Sequence, residues 1–167
     1  MEKRPIIKIE LTNGDKAVEI TGWLLLAGLW TLTGLNYSGL PDEIPVHYNG
    51  LGQPDNYDSK SGIWMLPVIG TILFIGMTVL NRSPHIFKYP GKITTINAKQ
   101  QYTSATRLIR FLKVAVVMIF VVIVFKTIQT ALGQAAGMGN MFLPFALLLL
   151  FLPLVIFLSS NKKKDRV

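Results

Sequence analysis

The 167 residues contain no cysteine. That excludes disulfides, thiolate metal sites and cysteine nucleophiles. Charge is also scarce: 16% of the chain is Asp, Glu, Lys or Arg, against roughly 25% in a soluble domain. Acids are fewer than bases, nine against seventeen. None stands between Thr21 and Tyr37, between Ile63 and Leu80, or from Phe111 to the C-terminal tail. Proton relays and ion paths use buried carboxylates, histidines or broken polar helices, so these blocks do not read as an ion-coupled transporter. Histidine occurs twice, too rarely for an ordinary zinc site.

What fills the chain instead is apolar. Half the residues are hydrophobic and the mean hydropathy is +0.43. They cluster in four blocks, 17–37, 63–80, 111–129 and 141–159. A membrane helix needs about 20 mostly apolar residues. Backbone polar groups in lipid must be satisfied within the segment, so each block is expected to be helical. The first block is long and no small-x-small cleavage site follows it, so it reads as an anchor rather than a signal peptide. Pro67 and Pro144 stand near the starts of their helices, where a missing donor costs least. Pro153 falls inside the fourth block and is expected to kink it. In the third block the uncharged core, Val114 to Phe125, gives only about 18 Å of helix. Lys113 and Lys126 at its ends are expected to snorkel outward and complete the span.

Lysine and arginine set the orientation. Lys3, Arg4, Lys8 and Lys16 precede the first block. Arg82, Lys88, Lys92, Lys99, Arg107 and Arg110 lie between the second and third, with no acid among them. The tail "NKKKDRV" adds more. The loop between the first two blocks has only Lys60 among four acids, and the last loop, "TALGQAAGMGN", has no base. Both termini are therefore expected in the cytoplasm and the first loop outside. The sequence reads as an all-α integral membrane protein: four transmembrane helices, N-in and C-in, with an ordered extracytoplasmic loop between helices 1 and 2. Residues 1–16 form a cytoplasmic arm, 17–80 two helices with the external loop 38–62, 81–110 a basic cytoplasmic loop and helix extension, 111–160 helices 3 and 4, and 161–167 a basic tail. A helix cap is expected near Thr12 or Asn13, and another at Thr94 or Thr95 for a helix running into the third span. The basic residues suit anionic lipid of the inner leaflet. No nucleic-acid-binding module accompanies them.

The unusual residues concentrate in "LPDEIPVHYNGLGQPDNYDSKS", 40–61. Pro41, Pro45 and Pro54 restrict the backbone. Asn49-Gly50, Gly52 and Pro54-Asp55 are turn signals, and Val46 and Tyr48 alternate with His47 and Asn49 as in a short strand. The stretch reads as a compact cap over the helix ends. His47 with Asp42, Glu43, Asp55 and Asp58 has one imidazole for a metal, and "DNYDSKSG" lacks the spacing and closing glutamate of a calcium loop. Ser59 and Ser61 near Asp58 show no triad spacing. No catalytic, cofactor-binding or metal-ligating residue is assigned, and no cofactor. A hydrogen bond from His47 to an aspartate that locks the loop is the leading reading, ahead of ligand recognition. Lys60 is expected to pair with Asp55 or Asp58 or to anchor at the interface. Arg107, Arg110 and Lys113 share one helix face, suited to positive-inside anchoring or to contact with a lipid or regulator. Trp64 and Tyr37 suit an outer aromatic belt, and Trp30 packing between helices.

The segment Pro41, Ile44, Pro45, His47, Tyr48, Asn49, followed by Gly52, Pro54, Asp55 and Lys60 before a helix containing Pro67, resembles the bacterial membrane family known as domain of unknown function 1648. The resemblance covers about residues 20–80. It implies a multi-pass protein of the bacterial cytoplasmic (inner) membrane. The same domain occurs in SdpI-type immunity proteins, which have two further helices and a C-terminal region with no counterpart here. By that resemblance the loop residues are candidate ligand-binding or loop-structuring positions, and an extracytoplasmic peptide is the candidate ligand. The expected function is non-enzymatic recognition, immunity-like or signalling. The alternative is an accessory subunit bound to another membrane protein, with a membrane-embedded enzyme or transporter behind both.

Overall fold

The computed structural model describes residues 4–162, with side chains as far as Ser159. Lys3 and residues 163–167 of the basic tail lie outside the described residues. After an extended arm, helix α1 runs Asn13–Asn36. Its start is a capping box: Thr12 Oγ1 accepts from the Asp15 amide at 3.2 Å, and the Thr12 amide donates to Asp15 Oδ2 at 3.0 Å. Two donors that the first turn leaves open are thereby satisfied.

The first loop is a β-hairpin, which amends the all-α expectation. Strand β1 (Glu43–Tyr48) pairs antiparallel with β2 (Pro54–Ser59), and the register shifts on both sides of His47. Both strands are edges, so Pro45 and Pro54 cost no ladder bond that a central strand would need. Asn49 builds the turn. Its Oδ1 accepts from the Leu51 and Gln53 amides, and its own amide donates to the Gln53 carbonyl at 2.9 Å. An isolated hairpin is marginal. This one is fixed from below, because Leu40, Ile44 and Ile63 are buried against Leu29 of α1 and Val124 and Ile128 of the third helix.

A 3-10 turn (Lys60–Trp64) leads into α2, Met65–Leu80. Helix α3 runs Ala98–Ala131, 34 residues or about 51 Å, well beyond a roughly 30 Å hydrocarbon core. It is therefore longer than a single span needs. Its start lies a turn beyond the expected cap. Thr94 and Asn97 bond reciprocally, amide to side chain, in a turn just before the helix. Helix α4 runs Phe142–Lys162 and continues through Pro153. All four helices are long and apolar enough to cross a membrane. Helix α3 is the spine, packing against α1, α2, α4 and β1. Phe74 of α2, Leu26 of α1 and Val117 of α3 form a second buried cluster.

Candidate functional site

Beneath the hairpin lies a cavity of about 640 Å³, within the ~300–1,000 Å³ range of ligand pockets. Strand β1 forms its roof. The first turns of α2 supply Met65, Leu66 and Ile69. The second half of α3 supplies Ile123 and Thr127, and the start of α4 Phe142 and Leu143. The walls are apolar, whereas His47, Asn49 and Asp58 stand on the hairpin side. Tyr48 is half-buried, and its phenol meets Thr127 Oγ1 at 3.1 Å, tying the roof to α3. Burial raises the Tyr48 phenol above its ordinary range, while the Thr127 hydroxyl opposes the shift. The phenol is thus neutral at physiological pH and able to donate.

A second tie holds the roof from the side. The Met138 amide in the α3–α4 loop donates to the Gly52 carbonyl at 2.7 Å. Gly52 has φ +76°, and a Cβ there would stand 2.5 Å from the Gly139 carbonyl oxygen. Gly137 has φ +142°, and its Cβ would collide with the Gly52 carbonyl oxygen. Two backbones thus touch where no side chain fits.

Six of the expected loop residues line this cavity: Ile44, Pro45, His47, Tyr48, Asn49 and Gly52. Four do not. Pro41 is exposed ahead of β1, Pro54 begins β2, and Asp55 accepts from His47 Nδ1 at 2.5 Å on the exposed surface. That bond is the expected histidine–aspartate lock, and a carboxylate acceptor at Nδ1 leaves Nε2 as the remaining ring nitrogen. Lys60 departs from expectation. Its ammonium pairs with Asp42 at 3.1 Å and bonds the Leu40 carbonyl at 3.3 Å, rather than meeting Asp55 or Asp58. The hairpin register is the reason, because the Lys60 amide donates to the Asp42 carbonyl and holds the two residues together. Trp64 packs in tilted geometry against both Tyr37 and Trp30, and Trp30 Nε1 donates to Thr71 Oγ1 at 2.9 Å.

The opposite end of the bundle carries a charge network that sequence reasoning assigned differently. Arg110 and Lys113 do not face lipid. They are buried and turned onto α1, and Lys113 does not snorkel. Arg107 forks onto Asp15 at 2.9 and 3.2 Å. Arg110 Nε meets Glu19 at 3.2 Å, and Lys113 Nζ meets Glu19 Oε2 at 2.6 Å and Thr78 Oγ1 at 2.9 Å. The ammonium also lies 4.3 Å from the Phe74 ring centroid, a cation–π geometry. The spacing explains the match. Positions 107, 110 and 113 recur every three residues on α3, and 15 and 19 lie four apart on α1, so both sets share a helix face. Of the three, only Arg107 keeps substantial exposure, 44% of its side chain.

The chain's first two helices and hairpin have counterparts in known sequences. Residues 24–71 match the family model described as Domain of unknown function (DUF1648). The chain is also 26% identical over 159 residues to an uncharacterized protein of Archaeoglobus fulgidus, across 88% of this chain and 87% of that protein. No solved structure matches it.

Proposed function

We propose, from a chain that matches Domain of unknown function (DUF1648) over the second half of α1, the hairpin and the start of α2, a non-enzymatic recognition protein of a cytoplasmic membrane. Its hairpin faces outward and its cavity receives an amphiphilic ligand from the outer side, as a bacterial inner-membrane protein would. One observation carries this reading: an apolar cavity with a polar rim, roofed by a hairpin tied down to α3 and to the α3–α4 loop. The concentration of lysine and arginine at the other end supports the orientation. There Arg107 and its neighbour Lys99 meet anionic lipid.

The resemblance to immunity proteins names the first ligands to test. Cells making the chain, challenged with a panel of secreted membrane-active peptides and acylated amphiphiles, are expected to tolerate a higher dose of at least one. Ile123→Trp, which fills the cavity, is expected to abolish that tolerance. An unchanged dose across the whole panel contradicts the reading.

A second reading, an accessory subunit of another membrane protein, is favoured by α4. That helix is apolar all round, and among the described residues it leaves Leu147, Leu148, Phe151 and Val155 exposed. A constant cross-linked protein partner along α4, retained in the absence of added amphiphile, would favour it.

A further inference from the structure

The cavity has a side door. Helices α2 and α4 both pack on α3, and among the described residues they scarcely touch one another. The residues flanking that gap both line the cavity and lie on the outer surface: Met65 is 63% exposed, Ile69 40% and Leu143 49%. All three belong to segments apolar enough to lie in the bilayer. On this side the opening suits lipid, whereas at the hairpin rim, where His47 keeps 67% of its side chain exposed, the cavity meets water. Deeper in, the half-buried Leu66 and Ile123 and the buried Ile63 continue the apolar wall. Polar groups appear only toward the hairpin, where His47, Asn49 and Asp58 stand.

The geometry points to one acyl chain of a membrane amphiphile as the occupant, entering sideways from the bilayer between α2 and α4, with its polar head held at the hairpin rim. The inference rests on the cavity being a binding site, as above, but not on which side of the membrane the hairpin faces. An acyl chain fits on three counts. It reaches the opening without crossing water, it offers apolar surface to walls that have almost no hydrogen-bonding group beyond the Tyr48–Thr127 pair, and its head matches the rim. A peptide would bring backbone amides to walls that offer them few partners, and at the rim it would meet a roof that the Gly52–Met138 and Tyr48–Thr127 bonds tie to the α3–α4 loop and to α3.

The test uses the full chain in phospholipid nanodiscs, doped in separate arms with a phospholipid or a free fatty acid bearing a diazirine near the end of its chain. After irradiation, adducts are mapped by peptide mass spectrometry. Adducts are expected on Ile63, Leu66 and Ile123, in excess of those on Ile72 and Leu24, which are 65% and 67% exposed but outside the cavity. Filling the site with Ile123→Trp, or at its mouth with Leu143→Trp, is expected to lower the interior adducts by about tenfold. Ile72→Trp leaves them unchanged. Leu143 is half-exposed, so its variant tests the door without burdening the core. Interior labelling in the phospholipid arm identifies the bilayer itself as the source. Labelling in the fatty-acid arm alone supports the same chemistry with a free acid as the source. Adducts confined to outward-facing residues in both arms overturn the inference, as do interior adducts indifferent to both tryptophans. Interior labelling by a benzophenone-bearing hydrophobic peptide, with none by either acyl probe, overturns the acyl chain while leaving the cavity a recognition site.

Discussion

Glu19→Leu is expected to destabilise the folded protein by about 3–5 kcal/mol, the cost of stranding one member of a buried ion pair. Lys113 is the reason. Its side chain has no exposed surface, and Glu19 is the carboxylate within ion-pair distance of its ammonium, at 2.6 Å. With the carboxylate gone, the ammonium keeps only the Thr78 hydroxyl and the Phe74 ring. It cannot snorkel, because its stem is enclosed between α1, α2 and α3. Arg110 also loses its bond from Nε to Glu19, although its Nη1 still lies 3.7 Å from Asp15. The double variant Glu19→Leu with Lys113→Met removes the stranded charge and is expected to recover more than half the loss. Thermal or denaturant unfolding in detergent micelles measures both. A loss below about 1 kcal/mol would mean the pair behaves like an exposed surface bridge. The network would then not be what holds α1 to α3.

The second large effect is expected at the hairpin. Gly52→Ala places a methyl group 2.5 Å from the Gly139 carbonyl oxygen at a φ of +76°. The left-handed backbone alone costs a non-glycine residue of order 1–3 kcal/mol, and the overlap with backbone adds to it. The damage is expected to be local. The Met138–Gly52 bond opens, and hydrogen exchange speeds up at the Asn49, Gln53 and Met138 amides, while the Glu19–Lys113 end keeps its protection. Gly28→Ala serves as the control. A Cβ at Gly28 meets nothing within 4 Å, and alanine in a helix interior is favoured over glycine by about 0.8–1.0 kcal/mol. Unchanged exchange in Gly52→Ala would show that the two loops do not hold one another.

Much of this architecture is legible in the chain. The Thr12 cap, the four spans and the long third helix follow from capping chemistry and apolar run length, both local properties. Asn49-Gly50 and the prolines announce an ordered loop, and alternation at Val46 and Tyr48 announces a strand. Its partner strand, Pro54–Ser59, was not legible, because Pro-Asp-Asn-Tyr-Asp-Ser carries no apolar alternation. The inward turn of Arg110 and Lys113 was not legible either. In a membrane protein the lipid-facing and packing faces are equally apolar, so hydrophobicity does not say which way a lysine at a helix end points. The readable clue was the pairing of spacings, 15 and 19 against 107, 110 and 113. The Lys60–Asp42 pair depends on hairpin register, which one residue of slip would change. Gly137 and Gly139 look like ordinary turn residues, and only the position of Gly52 shows what they accommodate. The cavity belongs to four elements at once, and no single stretch encodes it. Thr127, Ile123 and Leu143 therefore carry no signal of their own.

The central claim is that the hairpin and its cavity face the outside while the charge network faces the cytoplasm. Because the chain has no cysteine, one introduced thiol reports without interference. Leu51 in the hairpin turn is 67% exposed, and Gln100 is exposed in the first turn of α3. A membrane-impermeant maleimide applied to intact cells is expected to label Leu51→Cys fully and Gln100→Cys only after the cells are opened. Labelling of Gln100→Cys in intact cells, with Leu51→Cys protected until lysis, would contradict the account.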